Sequence, residues 1–145
     1  MKILLFNTAI MGALPEGNET FVYSLTALTV SQARAIVAEA TAPGGVGVES
    51  FVGHAATCAA MSSLLGCPVP ENRALSAQAE GQRAIALKVR GRLPEGSVLD
   101  EAALNEVGYD LYLIVREPVY VYSGLFMARA EETRASKIFQ LCTPP

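Results

Sequence analysis

Apolar positions along the chain fall into short runs and helical stripes. Ile3, Leu4, Leu5 and Phe6 form a continuous apolar run of strand length, the pattern of a strand covered on both faces. The breakers Gly12, Pro15, Gly17 and Asn18 then predict a loop from Met11 to Thr20. Phe21, Tyr23 and Leu25 alternate with Val22 and Ser24, which predicts a second strand. Thr29 and Gln32 stand three apart at the head of a helical stripe made by Val30, Ala33, Val37 and Ala40. At that spacing each of the two side chains satisfies a backbone N–H of the first turn. Pro43, Gly44 and Gly45 end the helix.

Val48 to Val52 reads as a short strand, Gly53-His54 as a turn, and Ala55 to Leu65 as a second helix with Cys58, Met61, Leu64 and Leu65 as its apolar stripe. Gly66 caps that helix, and Pro68 and Pro70 prevent its continuation. Arg73 to Ala79 and Arg83 to Leu93 read as an antiparallel hairpin around Glu80-Gly81-Gln82. In its second strand Ile85, Leu87 and Val89 share one face, and Lys88, Arg90 and Arg92 share the other, so one side is expected to pack and the other to present cations. Asp100 is a predicted N-cap for a short helix ending before Gly108, and a strand follows from Tyr109 to Val115. Pro118 breaks it, Val119 to Met127 is a further β-prone run, and Glu131 to Leu141 is predicted helical. Helices and strands mixed in this way predict an α/β (α+β) fold: a mixed β-sheet with flanking helices in a single compact domain.

Composition narrows the function classes. The chain has 145 residues, 51% of them hydrophobic and 17% charged, enough apolar surface for one self-sufficient core. No apolar run reaches the ~20 residues that span a bilayer. The apolar start breaks at Asn7-Thr8, too early for a signal peptide, so the expected location is cytoplasmic and no membrane partner is expected. Cys58, Cys67 and Cys142 are an odd number at unpatterned spacing, which suits reduced thiols and not a disulfide framework or metal pair. The single histidine excludes a two-histidine metal site, and no metal site is expected. The net charge of −3 conceals a basic stretch: Arg73, Arg83, Lys88, Arg90 and Arg92 stand against one acid, Glu80. Such a stretch can recruit an anion without making the whole chain a general nucleic-acid binder.

Three groups of residues carry candidate chemistry. His54 follows Gly53 at the head of a helix whose first-turn N–H groups, on Ala55, Ala56 and Thr57, form a ready anion site. A histidine beside a bound phosphate is favoured in its charged form and can protonate a leaving oxygen; the plainer reading is a histidine that merely ends a strand. Arg92 and Glu95 flank a proline turn after the cationic strand, where an arginine can grip a phosphate in two-pronged fashion and a glutamate can orient it; the plainer reading is a surface ion pair. Asn72-Arg73 opens the preceding segment, and Asn7-Thr8 ends the first strand; either asparagine can simply hold a turn. No P-loop and no Gly-x-Ser-x-Gly elbow is present.

Four segments together, Phe51-Val-Gly-His-Ala-Ala-Thr57, Leu64-Leu-Gly-Cys-Pro-Val-Pro-Glu-Asn-Arg73, Arg90-Gly-Arg-Leu-Pro-Glu-Gly96 and Val107-Gly-Tyr109, resemble the small viral type III anti-CRISPR proteins and their bacterial ring-nuclease relatives. Leu5-Phe-Asn-Thr-Ala9 fits that family's N-terminal strand and turn. The resemblance marks residues 1–117 as a ring-nuclease-like domain and 118–145 as a C-terminal extension of unassigned role. It implies a homodimer that needs no cofactor and degrades cyclic tetra-adenylate, the second messenger of type III CRISPR signalling. A 2′-hydroxyl of the ligand would attack its own neighbouring phosphate, leaving linear adenylates with 2′,3′-cyclic phosphate ends. The resemblance places the catalytic roles on His54, Arg92 and Glu95. Ligand contacts are expected from Asn7, Thr8, Gly53, Ala55, Ala56, Thr57, Asn72, Arg73 and Arg90. Many viral members carry Asp and Ser where this chain has Ala55 and Ala56, and some carry a serine where it has Ile10. The competing readings are a module that sequesters a cyclic nucleotide without cutting it, and a DNA-associated protein. The modest overall charge disfavours the latter, so no duplex nucleic-acid partner is expected.

Overall fold

The computed structural model describes residues 1–8, 21–91, 101–122 and 125–128. Strands β1 (Ile3–Phe6), β2 (Val22–Leu28), β3 (Val48–Phe51), β4 (Arg83–Val89) and β5 (Tyr109–Glu117) form one sheet in the order β2-β5-β4-β1-β3. β1 is parallel to both β3 and β4, while β5 is antiparallel to β4 and β2. Helices α1 (Val30–Thr41), α2 (Ala55–Leu65) and α3 (Glu101–Val107) connect them. Beyond the sheet, β6 (Val119–Tyr122) and β7 (Leu125–Ala128) pair as a separate antiparallel hairpin. This is a single α+β domain with a five-stranded mixed sheet and flanking helices.

The helices form where local chemistry favours them. Thr29 caps α1 in a reciprocal box: its Oγ1 accepts from the Gln32 N–H at 3.2 Å, and Gln32 Oε1 accepts from the Thr29 N–H at 2.8 Å. α2 stops at Gly66, whose φ of +71° a β-carbon would penalise. All three helices bury their apolar faces on one side of the sheet. Ala33, Val37, Met61, Leu64 and Leu104 meet Ile3, Leu5, Ile85, Leu87 and Leu111 there in one core cluster. Arg34 ties α1 to the end of α2 by donating from Nε to the Leu64 carbonyl at 2.7 Å and from Nη2 to the Ser63 carbonyl at 3.1 Å. On the other face Leu4, Phe6, Ala84, Ala86 and Ile114 are buried with Tyr23, Phe51 and Tyr112 packed against them.

The expected hairpin around Glu80-Gly81-Gln82 is not there. Arg73 to Ala79 forms no strand, because both edges of β4 are already taken, by β1 on one side and β5 on the other. Side-chain amides hold the segment instead. Gln78, only 2% exposed, donates from Nε2 to the carbonyls of Gln82 at 2.8 Å and Ile114 at 3.2 Å. Gln82 accepts from the Ala79 N–H at 2.9 Å and donates to the Lys2 carbonyl at 3.0 Å. β4 is accordingly buried on both faces from Ala84 to Leu87, and its cationic side is confined to Lys88 and Arg90. β2 extends to Leu28, and Leu25 within it is 52% exposed. The predicted loop from Met11 to Thr20, the Asp100 cap and the helix from Glu131 to Leu141 lie outside the described residues.

Candidate active site

β1, β3 and β4 run in one direction, and β2 shares it because β5 is antiparallel to both β4 and β2. Four carboxyl ends therefore meet at one rim, the place where open sheets with helical crossovers gather ligands. There β1 passes from Phe6 into Asn7 and Thr8, and β3 passes through Val52 and Gly53 to His54. The chain returns to this rim after α2. Glu71 bridges in parallel to Val52, the Asn72 N–H donates to the Val52 carbonyl at 2.8 Å, and Asn72 Nδ2 donates to the Ser50 carbonyl at 2.8 Å. Asn72 Oδ1 accepts from the Ala74 N–H at 3.0 Å, which turns the chain across the mouth of β3.

A cavity of about 270 Å³ opens between these pieces. Its polar lining includes Asn7, Thr8, His54, Asn72 and Arg73, and its apolar lining includes Phe6, Phe51 and Leu75. His54 is exposed and occupies the N-cap of α2 in an extended conformation; its carbonyl accepts from the Cys58 N–H at 2.9 Å while its imidazole caps nothing. The N–H groups of the first turn, on Ala55, Ala56 and Thr57, point out of the helix end beside it. Arg73 is held at Nε by Glu71 Oε1 at 3.0 Å, and its side chain is 77% exposed. Gly53 admits the arginine stem: a β-carbon there would lie 3.1 Å from Arg73 Cγ. Behind His54, burial pushes the Cys58 thiol upward and the Glu71 carboxylate adds to the effect, so this sulfur is a poor nucleophile. Burial likewise raises Cys67.

Of the residues expected at a site, the fold brings Asn7, Thr8, Gly53, His54, Asn72 and Arg73 into one cavity, with Ala55, Ala56 and Thr57 at the adjoining helix head. Asn72 spends both ends of its amide on the chain, which makes it an anchor of the rim. Arg90 is placed elsewhere. It lines a second cavity of about 350 Å³ with Thr29, Asn105 and Tyr109, and its guanidinium forks onto Asp110, Nε to Oδ2 at 3.0 Å and Nη2 to Oδ1. That fork holds the Asp110 carboxyl below the usual carboxylate range. The basic stretch is thus dispersed: Arg73 lies in the first cavity, Arg90 in the second, and Arg83 at the far end of β4. Arg92 and Glu95 lie outside the described residues. Pattern reading passed over Glu71, although it adjoins Asn72-Arg73, and over Leu75, whose two-residue spacing from Arg73 was the available signal. Among the described residues no group of histidine, cysteine, aspartate and glutamate could hold a metal ion, and no helix is long and apolar enough to cross a membrane.

Comparison with known proteins agrees with this architecture. The chain is 46% identical over 68 residues to ORF117 of Acidianus two-tailed virus, a match covering 46% of this chain and 58% of that protein. It is 32% identical over 68 residues to YddF of Bacillus subtilis (strain 168), covering 47% of this chain and 63% of that protein. Each match spans less than two thirds of the relative. Among solved structures, B116 of Sulfolobus turreted icosahedral virus superposes with a TM-score of 0.64 at 21% identity, over 79% of this chain and 99% of that one, which establishes the shared fold. Two of these three relatives are viral. The family model described as STIV B116-like matches residues 3–111, three quarters of the chain, and the protein belongs to the STIV B116-like family.

Proposed function

We propose that this protein is a metal-independent ring nuclease that opens cyclic tetra-adenylate and thereby shuts off type III CRISPR signalling. The observation that carries the reading is convergence. The Asn-Thr end of β1, the Gly-His head of α2 and the Asn-Arg return, remote in sequence and each part of the resemblance, line one cavity at the sheet rim. Its donor set suits a phosphodiester. Among the described lining residues it offers an imidazole, a guanidinium, the Asn7 amide and the Ser76 hydroxyl, with the head of α2 adjoining.

The reaction uses the ligand's own nucleophile. The 2′-oxygen forms a bond to the adjacent phosphorus as the P–O5′ bond breaks; the 2′-hydroxyl proton passes to solvent water, and His54 donates a proton to the departing 5′-oxygen. The products are linear adenylates with 2′,3′-cyclic phosphate ends. An acid so placed contributes roughly 10²–10⁴-fold. Arg73, with Nε committed to Glu71, keeps its two Nη groups for the phosphate, and the α2 head adds its dipole. The resemblance assigns Arg92 to the phosphate in the transition state and Glu95 to orienting it or the 2′-hydroxyl. A homodimer would supply two copies of His54 to a ring with its own two-fold symmetry. The site of action is the cytoplasm of the cell that makes the messenger.

The test is incubation of the pure protein with cyclic tetra-adenylate and resolution of the products by anion exchange. Linear adenylates with 2′,3′-cyclic phosphate ends are expected, with at least a hundredfold loss of rate and near-normal binding in His54→Ala. Intact ring recovered from a stoichiometric complex would replace cleavage by sequestration.

A further inference from the structure

The cavity around His54 has an apolar wall that phosphate chemistry does not call for. Phe51 is half-buried, its ring meeting Phe6 at a centroid distance of 6.1 Å and an angle of 46°. Leu75 lines the same cavity and is 76% exposed, more than any other large apolar side chain among the described residues. It packs into neither core cluster, so folding does not account for it. Its main chain is also free of the sheet. Residues 72–79 belong to no strand, and beyond Ala74, whose N–H is taken by Asn72, the peptide groups of Leu75 and Ser76 join no ladder among the described residues. Arg73 and Leu75 both line the cavity, so this segment presents a cation and an apolar surface along one wall.

We propose that Leu75, with Phe51, forms a nucleobase subsite beside the Arg73 phosphate site, in which a purine lies against the leucine and offers its polar edge to the peptide groups of Leu75 and Ser76. Leu75 is then a specificity-determining residue. This deepens the ring-nuclease reading and rests on it for the identity of the ring. A purine covers more of the apolar wall than a pyrimidine, and burial of the leucine is gained only when a base is present.

The experiment compares wild type, Leu75→Ser and Leu75→Met. The leucine is exposed, so both variants should fold with an unchanged Tm. On cyclic tetra-adenylate, Leu75→Ser should raise KM about five- to tenfold with kcat nearly unchanged, and Leu75→Met should restore KM. Wild type should bind cyclic tetra-adenylate more tightly than cyclic tetra-uridylate, and Leu75→Ser should erase the difference. A second arm titrates adenosine 5′-monophosphate and ribose 5-phosphate by NMR. Wild type should prefer the nucleotide, while Leu75→Ser should lose that preference and bind ribose 5-phosphate as before. Unchanged preference, an equal loss for both probes, or conversion of a dimer to a monomer by Leu75→Ser would overturn the subsite. If cyclic tetra-adenylate is never cut, the ring-nuclease reading falls and the second arm still decides on the subsite.

Discussion

Asn72→Ala separates a residue that holds the rim from one that touches ligand. β3 is an edge strand, and in a parallel pairing the N–H and C=O of one residue point to the same side. The Ser50 carbonyl, which receives Asn72 Nδ2 at 2.8 Å, belongs to a residue only 4% exposed. Removing the amide leaves that oxygen buried without a donor, at a cost of about 1–3 kcal/mol. The second lost bond, from the Ala74 N–H to Oδ1, costs less because Ala74 is exposed and water can replace the acceptor. The expected destabilisation is about 2 kcal/mol, dominated by the carbonyl. With a urea slope near 2 kcal/mol/M, the midpoint should fall by about 1 M with the slope unchanged. Asn72→Asp sharpens the reasoning. It keeps the acceptor for Ala74 and loses the donor for Ser50, so it should destabilise at least as much as alanine. A midpoint within about 0.25 M of wild type in either variant would refute the claim that Ser50 needs this donor.

Three further outcomes follow from the geometry. Arg34→Ala uncaps the last carbonyls of α2 and should cost about 1 kcal/mol, seen as a lower urea midpoint and faster hydrogen exchange at the α1–α2 junction. Asp110 should titrate below the ordinary aspartate range by NMR and return toward it in Arg90→Gln. Because the folded-state value is lowered, the stability this pair contributes is present at neutral pH and is lost as pH falls through the folded-state value; a wild-type advantage over Arg90→Gln that grew in acid would contradict the sign. Iodoacetamide at neutral pH should label Cys58 more slowly than Cys67 by peptide mass spectrometry, since Cys58 is the more deeply buried of two raised thiols.

The parts of this molecule that were legible from pattern alone are those decided within a few residues. Thr29 and Gln32 satisfy each other across one turn, and Gly66 ends α2 by its own conformational freedom, so neither needs to know the sheet. The hairpin expected at Glu80-Gly81-Gln82 failed for the opposite reason. Whether Arg73 to Ala79 pairs with β4 depends on whether β1 and β5 have already claimed it, and both come from distant sequence. The alternation Ile85, Leu87, Val89 was a correct period, yet it concealed that Ala84 and Ala86 are buried as well. Small residues on the supposed outer face left room for larger side chains of neighbouring strands, Phe6, Ile114 and Tyr112, to close over them.

The candidate site divides along the same line. His54 was legible because the Gly-His step and the apolar stripe after it define a helix head locally. Arg90 lies apart from His54 in a second cavity, and its pairing was not legible because charge on a strand face says nothing of its cross-strand neighbour: Asp110, opposite Lys88 in register, claims the guanidinium. The same fact bears on function. A guanidinium forked onto a carboxylate carries little net charge to an incoming phosphate, whereas Arg73 is held by Glu71 through Nε alone and keeps its outer edge. Of the two described arginines that line cavities at the rim, Arg73 is therefore the one suited to grip an anion, and the clamp of Asn72 on β3 puts it next to His54.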